Sequence, residues 1–115
     1  MHELSIVQAL VERVEAEAAR VGAQVVRRLE VSIGELSGVE PELLSRAWET
    51  FREASICAGA TMEIRHVAAC WSCPRCEAVI GAGSLLRCPT CEVPARLSAG
   101  GDIMLERVEM EVPDV

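Results

Sequence analysis

Residues 73 to 91 hold two nearly identical turns, Cys73-Pro74-Arg75-Cys76 and Cys88-Pro89-Thr90-Cys91, separated by the eleven residues from Glu77 to Arg87. A two-residue spacer lets both sulfurs of a pair point at one ion, and two such pairs present the four thiolates of a tetrahedral site. Gly81, Gly83 and Ser84 let the intervening segment turn back and bring the pairs together. The spacing predicts bound zinc, with Cys73, Cys76, Cys88 and Cys91 as ligands. Catalytic zinc keeps one position open for water, whereas structural zinc is closed by four protein ligands. Four cysteines with no His, Asp or Glu at ligand spacing point to the structural kind. Cys70-Trp71-Ser72-Cys73 has the same spacing, so Cys70 stands as an alternative ligand. The repeat of Cys-Pro-X-Cys favours Cys73 and Cys76 over it. Cys57 lies apart and reads as a small buried apolar residue.

Other uses of six cysteines fit less well. A disulfide framework belongs to secreted chains, and Met1-His2-Glu3-Leu4-Ser5 offers neither the basic start nor the apolar run of a signal peptide. Five of the cysteines also cluster between 70 and 91 instead of spanning the chain. A thioredoxin-type pair needs a single CxxC, and an iron–sulfur cluster is the minority reading of this spacing. Cytoplasmic zinc is the expectation.

At 115 residues the chain is long enough for one small core plus a metal-held subdomain. Half of it is hydrophobic but only 3% is aromatic, so Val, Leu, Ile, Met and Ala must fill the core. No apolar stretch approaches the roughly 20 residues that span a bilayer. The net charge is −7, and all eleven basic residues are Arg. Four thiolates on one Zn²⁺ make it about two units more negative still. Nucleic-acid affinity rests largely on neutralising phosphates, so no nucleic-acid partner is expected, although many zinc ribbons have one.

Leu4, Val7, Leu10, Val11, Val14, Ala18 and Val21 recur at helical spacing and predict a helix over about 4–21, stopped by Gly22. Leu29, Val31 and Ile33 alternate with polar residues as a strand ending at Gly34. Pro41 opens a second helix running to about Ala54, with Leu43, Leu44, Ala47, Trp48 and Phe51 as its apolar stripe. Trp48 and Phe51 read as core anchors. Met62 and Ile64 mark a second strand, on whose face His66 continues as a structural residue. Val108, Met110 and Val112 mark a third. Ile103 and Leu105 fall on the opposite parity, so that strand is either buried on both faces or reset by a bulge. The second and third strands flank the cysteine segment and are expected to pair around it as an extended hairpin. The fold class is therefore α+β: two helices packed on a three-stranded sheet, with an inserted zinc-ribbon subdomain. Residues 1–67 and 98–115 form the α/β domain and 68–97 the ribbon. Leu29, Val31, Ile33, Met62, Ile64, Val108 and Met110 are expected to face the helices.

A second metal signal lies in the first residues. Removal of an initiator methionine requires a small second residue, so His2 should leave Met1 in place. The Met1 α-amine and the His2 imidazole are then one residue apart, with the His2 amide nitrogen between them. Such nitrogen-rich, square-planar coordination suits Ni²⁺ or Cu²⁺. By spacing alone, a solvated terminal histidine is the commoner reading.

The opening Met1-His2-Glu3-Leu4-Ser5, the amphipathic helix after it, the strand ending near Gly34 and the two late CxxC pairs together resemble the HypA/HybF family of hydrogenase-maturation nickel metallochaperones. The likeness covers essentially the whole chain. It implies a nickel site at the amino terminus, with His2 as side-chain ligand and the Met1 amine and backbone nitrogens of His2 and Glu3 nearby. It also maps the family's structural zinc onto Cys73, Cys76, Cys88 and Cys91. Many members have Gly after the first pair, where this chain has Glu77; Cys70 has counterparts in some. The resemblance implies delivery of Ni(II) as cargo for [NiFe] hydrogenase, with a nickel-handling accessory GTPase, the hydrogenase large subunit and, in some organisms, urease maturation proteins as partners. No Ser-His-Asp set, catalytic carboxylate pair or phosphate-binding Gly loop is present, so no enzyme activity is expected. The competing class is a zinc-ribbon module that binds protein or nucleic acid. Such a module calls for a basic or aromatic face, but the ribbon offers only Arg75, Arg87, Arg96 and Trp71 against Glu77 and Glu92.

Overall fold

A computed structural model describes residues 2–81 and 85–113, with His2 described by its backbone alone. Helix α1 spans His2–Val21 and ends where Gly22 adopts φ 73°. The Ala23 N–H then reaches back to the Ala18 carbonyl at 2.8 Å, which closes the helix with a Schellman turn that glycine makes cheaply. Strand β1 is Val25–Gly34 and helix α2 is Pro41–Phe51. Pro41 sits in the first turn of α2, where no backbone N–H is needed. A 3₁₀ turn, Arg52–Ala54, replaces the expected last turn of α2. Strands β2 (Thr61–Val67), β3 (Cys70–Ser72), β4 (Val79–Ile80), β5 (Arg96–Ala99) and β6 (Ile103–Glu111) follow.

The chain divides into two compact units. One comprises Met1–Ser32, Val39–Arg65 and Met104–Val115, the other Ile33–Gly38 and His66–Ile103. In the first, α1 packs against α2. Val7, Leu10, Val14 and Ala18 of α1, Val26, Leu29 and Val31 of β1, and Leu44 and Trp48 of α2 are buried, together with Cys57 and Ala60. The Trp48 indole N–H donates to the Ala60 carbonyl at 3.2 Å, so its polar edge is satisfied inside. Arg52 Nη1 donates to the same carbonyl at 2.6 Å.

The three-stranded sheet has the order β2-β1-β6. The expected hairpin of β2 with β6 does not form, because β1 lies between them. The reason is burial: β1 is long and buries Leu29, Val31, Ser32, Ile33 and Gly34, whereas β2 and β6 alternate between exposed and half-buried residues. A strand of that apolar density belongs in the middle of a sheet. In β6, Met104 is 55% exposed, and Glu106 and Arg107 are exposed in succession. The inward face thus passes from Ile103 and Leu105 to Val108 and Met110 by a change of phase, not by burial on both faces. Three other expectations fail. Phe51 is 42% exposed and Leu43 47%, so only Leu44 and Trp48 anchor α2. Leu43 and Phe51 lie one position round the helix from Leu44 and at its frayed end, beyond the width of the buried stripe. His66 is exposed, not part of the packed face.

On the other face of the sheet Arg28 gathers carboxylates from three strands. It meets Glu63 at 2.6 and 2.8 Å and Glu30 at 3.1 Å, and makes a short contact with Glu109. Arg107 lies 3.8 Å from Glu30 and 3.7 Å from Glu109. The guanidinium holds the Glu63 carboxyl below its ordinary pKa. That contribution to stability is complete above the ordinary value of 4.5 and is lost as pH falls through the depressed one. In Arg28→Met, Glu63 loses its cation and Glu30 and Glu109 keep only the more distant Arg107. The melting temperature at pH 7 should drop, and thermal melts down to pH 3 should show the gap to wild type closing as the acids protonate.

In the second unit two glycines permit a close crossing. A Cβ on Gly34 would lie 2.3 Å from the carbonyl of Gly100, and one on Gly100, whose φ is 88°, 2.6 Å from Ala69 Cα. The Gly34 N–H donates to Asp102 at 2.9 Å, Leu36 N–H to Gly100 at 2.8 Å, and Ala69 N–H to the Glu35 carboxylate at 2.7 Å. Because the obstruction is backbone, Gly34→Ala should cost about 1–3 kcal/mol, read as a lower urea midpoint.

Candidate metal centre

The cysteine turns are carried on a small sheet of order β4-β3-β5. Strand β3 pairs antiparallel with β4 through Trp71↔Ile80 and Ser72↔Val79, and with β5 through Trp71↔Leu97 and Ser72↔Arg96. The first knuckle leaves β3 directly. Its Cys73 N–H donates to the Ala78 carbonyl and Glu77 N–H to the Cys73 carbonyl, both at 2.9 Å. The second repeats this geometry, with Cys88 N–H to Val93 at 3.0 Å and Glu92 N–H to Cys88 at 2.9 Å. Proline after the first cysteine of each pair presets the turn and removes a donor that would have no acceptor there. Each turn then closes on a left-handed glutamate, Glu77 at φ 61° and Glu92 at φ 55°. Arg87 Nη2 donates to the Glu92 carbonyl at 2.5 Å.

Backbone amides also point at the sulfurs. Cys73 Sγ accepts from Arg75 N–H at 3.3 Å and Cys76 N–H at 3.4 Å, and Cys88 Sγ accepts from Cys91 N–H at 3.4 Å. Cys73 and Cys88 are buried with Ile80, and Trp71, Cys91, Val93 and Ala95 pack against them. Cys76 is exposed and Cys91 half-buried.

The four sulfurs lie within 4.8 Å of one another, and those of Cys76 and Cys88 are 3.9 Å apart. Tetrahedral zinc with Zn–S of about 2.3 Å requires sulfurs about 3.8 Å apart, whereas a disulfide requires about 2.05 Å. All six cysteines are free. Crowding divides the thiols electrostatically. The Cys76 N–H, with that of Arg75, holds Cys73 down to about 6, while hydrogen bonding to Cys73 and then burial push Cys91 up to about 12. Four thiolates cannot share so small a volume without a cation, and soft sulfur donors in a closed tetrahedral set suit zinc. Cys70 stands outside the cluster: it lies on β3, and its carbonyl accepts from Ser98 Oγ at 3.0 Å.

Of the amino-terminal residues singled out from the sequence, Met1 and the His2 side chain lie outside the described residues. Glu3 is in the first turn of α1, and its carboxyl is held below the ordinary range by its own backbone N–H and by that of Glu40, the residue preceding α2. The two metal signals therefore fall in different units of the chain, His2 and Glu3 in one and the cysteines in the other.

A four-thiol metal ribbon attached to a small α+β unit defines a metal-binding protein, and no helix among the described residues is long and apolar enough to cross a membrane. The family profile described as "Hydrogenase/urease nickel incorporation, metallochaperone, hypA" matches residues 1–110. The hydrogenase maturation factor HypA of Shewanella baltica (strain OS185) is 39% identical over 114 residues, covering 96% of this chain and 97% of that protein. That of Wolinella succinogenes is 38% identical over 120 residues, covering 99% and 98%. The solution structure of the Ni metallochaperone HypA from Helicobacter pylori superposes with a TM-score of 0.77 at 30% identity, over 96% of this chain and 98% of that one. A second HypA solution structure gives 0.81 at 31%, over 98% of both. The chain belongs to the HypA family, as its sequence resemblance implied.

The left-handed glutamates escaped the sequence reading, although Glu follows both knuckles and the repetition was there to be read. Backbone at φ near 60° accepts Gly freely and a β-branched residue poorly. Glu77→Gly should therefore retain metal against a competing chelator as well as wild type does, and Glu77→Val should lose it at lower chelator concentration.

Proposed function

We propose that the chain is a nickel metallochaperone that binds Ni(II) at its amino terminus and delivers it for maturation of [NiFe] hydrogenase, and of urease where that enzyme is made. The observation that carries this reading is the HypA profile match over residues 1–110, which takes in both the Met1-His2-Glu3 opening and the four cysteines. Coordination would use the Met1 amine, the His2 imidazole and the amide nitrogens of His2 and Glu3. His2 opens α1, and the first amides of a helix have no carbonyl four residues back. Nickel can thus displace the His2 amide proton without breaking the helical ladder. A site made of a terminal amine, one imidazole and backbone nitrogens, short of a full protein cage, suits a cargo ion that must leave again.

Cys73, Cys76, Cys88 and Cys91 hold structural Zn(II) in this reading. The division of labour is a nickel-binding α/β domain, residues 1–67 and 98–115, and a zinc-binding ribbon, residues 68–97. The role is delivery, not catalysis, in the cytoplasm. The partners are an accessory GTPase that handles nickel, the hydrogenase large subunit and urease maturation proteins. A nucleic-acid role is disfavoured by the net charge of −7.

Calorimetric titration of the untagged chain with Ni(II) tests the cargo site. His2→Ala should abolish binding while zinc content and circular dichroism stay unchanged. A residue added before Met1 should weaken binding as well, because the amine becomes an amide. Binding by His2→Ala as tight as wild type would move the nickel site elsewhere.

A further inference from the structure

The four sulfurs of the metal centre are not equivalent, and their differences single out one of them chemically. Cys73 is fully buried and its sulfur accepts two backbone N–H groups; Cys88 is 3% exposed and accepts one. Hydrogen bonds of this kind withdraw charge from a thiolate and burial denies it to reagents in solution, so neither sulfur is the first to meet an external oxidant. Cys76 is the exposed member, and among the described residues no N–H donates to its sulfur. Across the site, on the other knuckle, Cys88 Sγ lies 3.9 Å from it. That pair needs to close by less than 2 Å to reach S–S bonding distance of about 2.05 Å.

We infer that Cys76 is a peroxide-reactive thiolate and Cys88 its resolving partner, so that oxidation links the two knuckles and opens the metal centre. The inference rests on the reading that these four cysteines hold zinc. The Cys76 thiolate attacks one oxygen of a peroxide, the O–O bond breaks, and Cys76 sulfenic acid and hydroxide result. The Cys88 thiolate then attacks the sulfenic sulfur, forming the S–S bond and expelling a second hydroxide. The two sulfurs together give up two electrons, and the peroxide takes them. Two of the four donors are consumed, and Cys73 and Cys91 alone hold the ion far more weakly. Reduction by a thiol restores the site. The ribbon thereby acquires a reversible, oxidant-dependent metal release that is separate from the amino-terminal cargo site.

The test treats the zinc-loaded full chain with hydrogen peroxide in the presence of a chromophoric zinc chelator, with peptide mapping at each time point. Zinc content is measured beforehand. The expected result is release of the bound zinc in step with a Cys76–Cys88 cross-link, early labelling of Cys76 by a sulfenic-acid trap, and recovery after a reducing thiol and fresh zinc. Cys70→Ser should behave as wild type, because Cys70 lies outside the cluster. If zinc is present but peroxide leaves it bound, or if the link joins Cys73 to Cys76 or involves Cys70, this inference fails and the four-cysteine reading stands. A chain that takes up no zinc before oxidation overturns both.

Discussion

Mutual repulsion among four converging thiols is the constraint on which the ribbon depends. Among the described residues, the buried apolar cluster there contains only Ile80 apart from two of the cysteines themselves. Such a core cannot offset the conformational entropy of the segment that surrounds it. The backbone nevertheless spends four hydrogen bonds and two left-handed residues on shaping the knuckles, so that sulfurs which repel as thiolates are presented within 4.8 Å of one another. A divalent cation held at their centre would turn that repulsion into cohesion and release protons on binding.

The other unit is built on the opposite principle. Its stability comes from apolar burial along β1 and the facing sides of α1 and α2, with Trp48 at the middle and its one polar atom satisfied. The outer face of the sheet carries charge, and there Arg28 neutralises glutamates from three strands. Apolar burial alone holds this core, and no metal-binding cluster lies in it among the described residues. The two units differ in what holds them: apolar burial in one, four converging sulfur donors in the other.

Much of this could be read in residue spacing. The Cys-Pro-X-Cys repeat announces four sulfurs with a common target, Gly22 and Pro41 mark where one helix ends and the next begins, and the alternation in β1 announces a strand. Phe51 was misread because helical periodicity gives a direction and not a distance from the helix end, where packing thins out. The Gly34–Gly100 crossing was invisible because its partners are separated by most of the chain, and glycine carries no pattern of its own. Arg28 belonged to a visible polar face, but its three carboxylates come from β1, β2 and β6 and meet only in the folded sheet.

By itself the sequence determined element type, the four cysteines that converge and the family, because local spacing and donor chemistry are properties of short segments. Tertiary structure alone decided that β1 separates β2 from β6, since strand order depends on which strand has both neighbours to bury against. It also excluded Cys70, which shares the CxxC spacing but lies on β3 while the other four sulfurs converge. And it set Cys76 apart from the three other cysteines of the cluster, because exposure and hydrogen bonding to sulfur arise only when two knuckles distant in sequence are folded against each other.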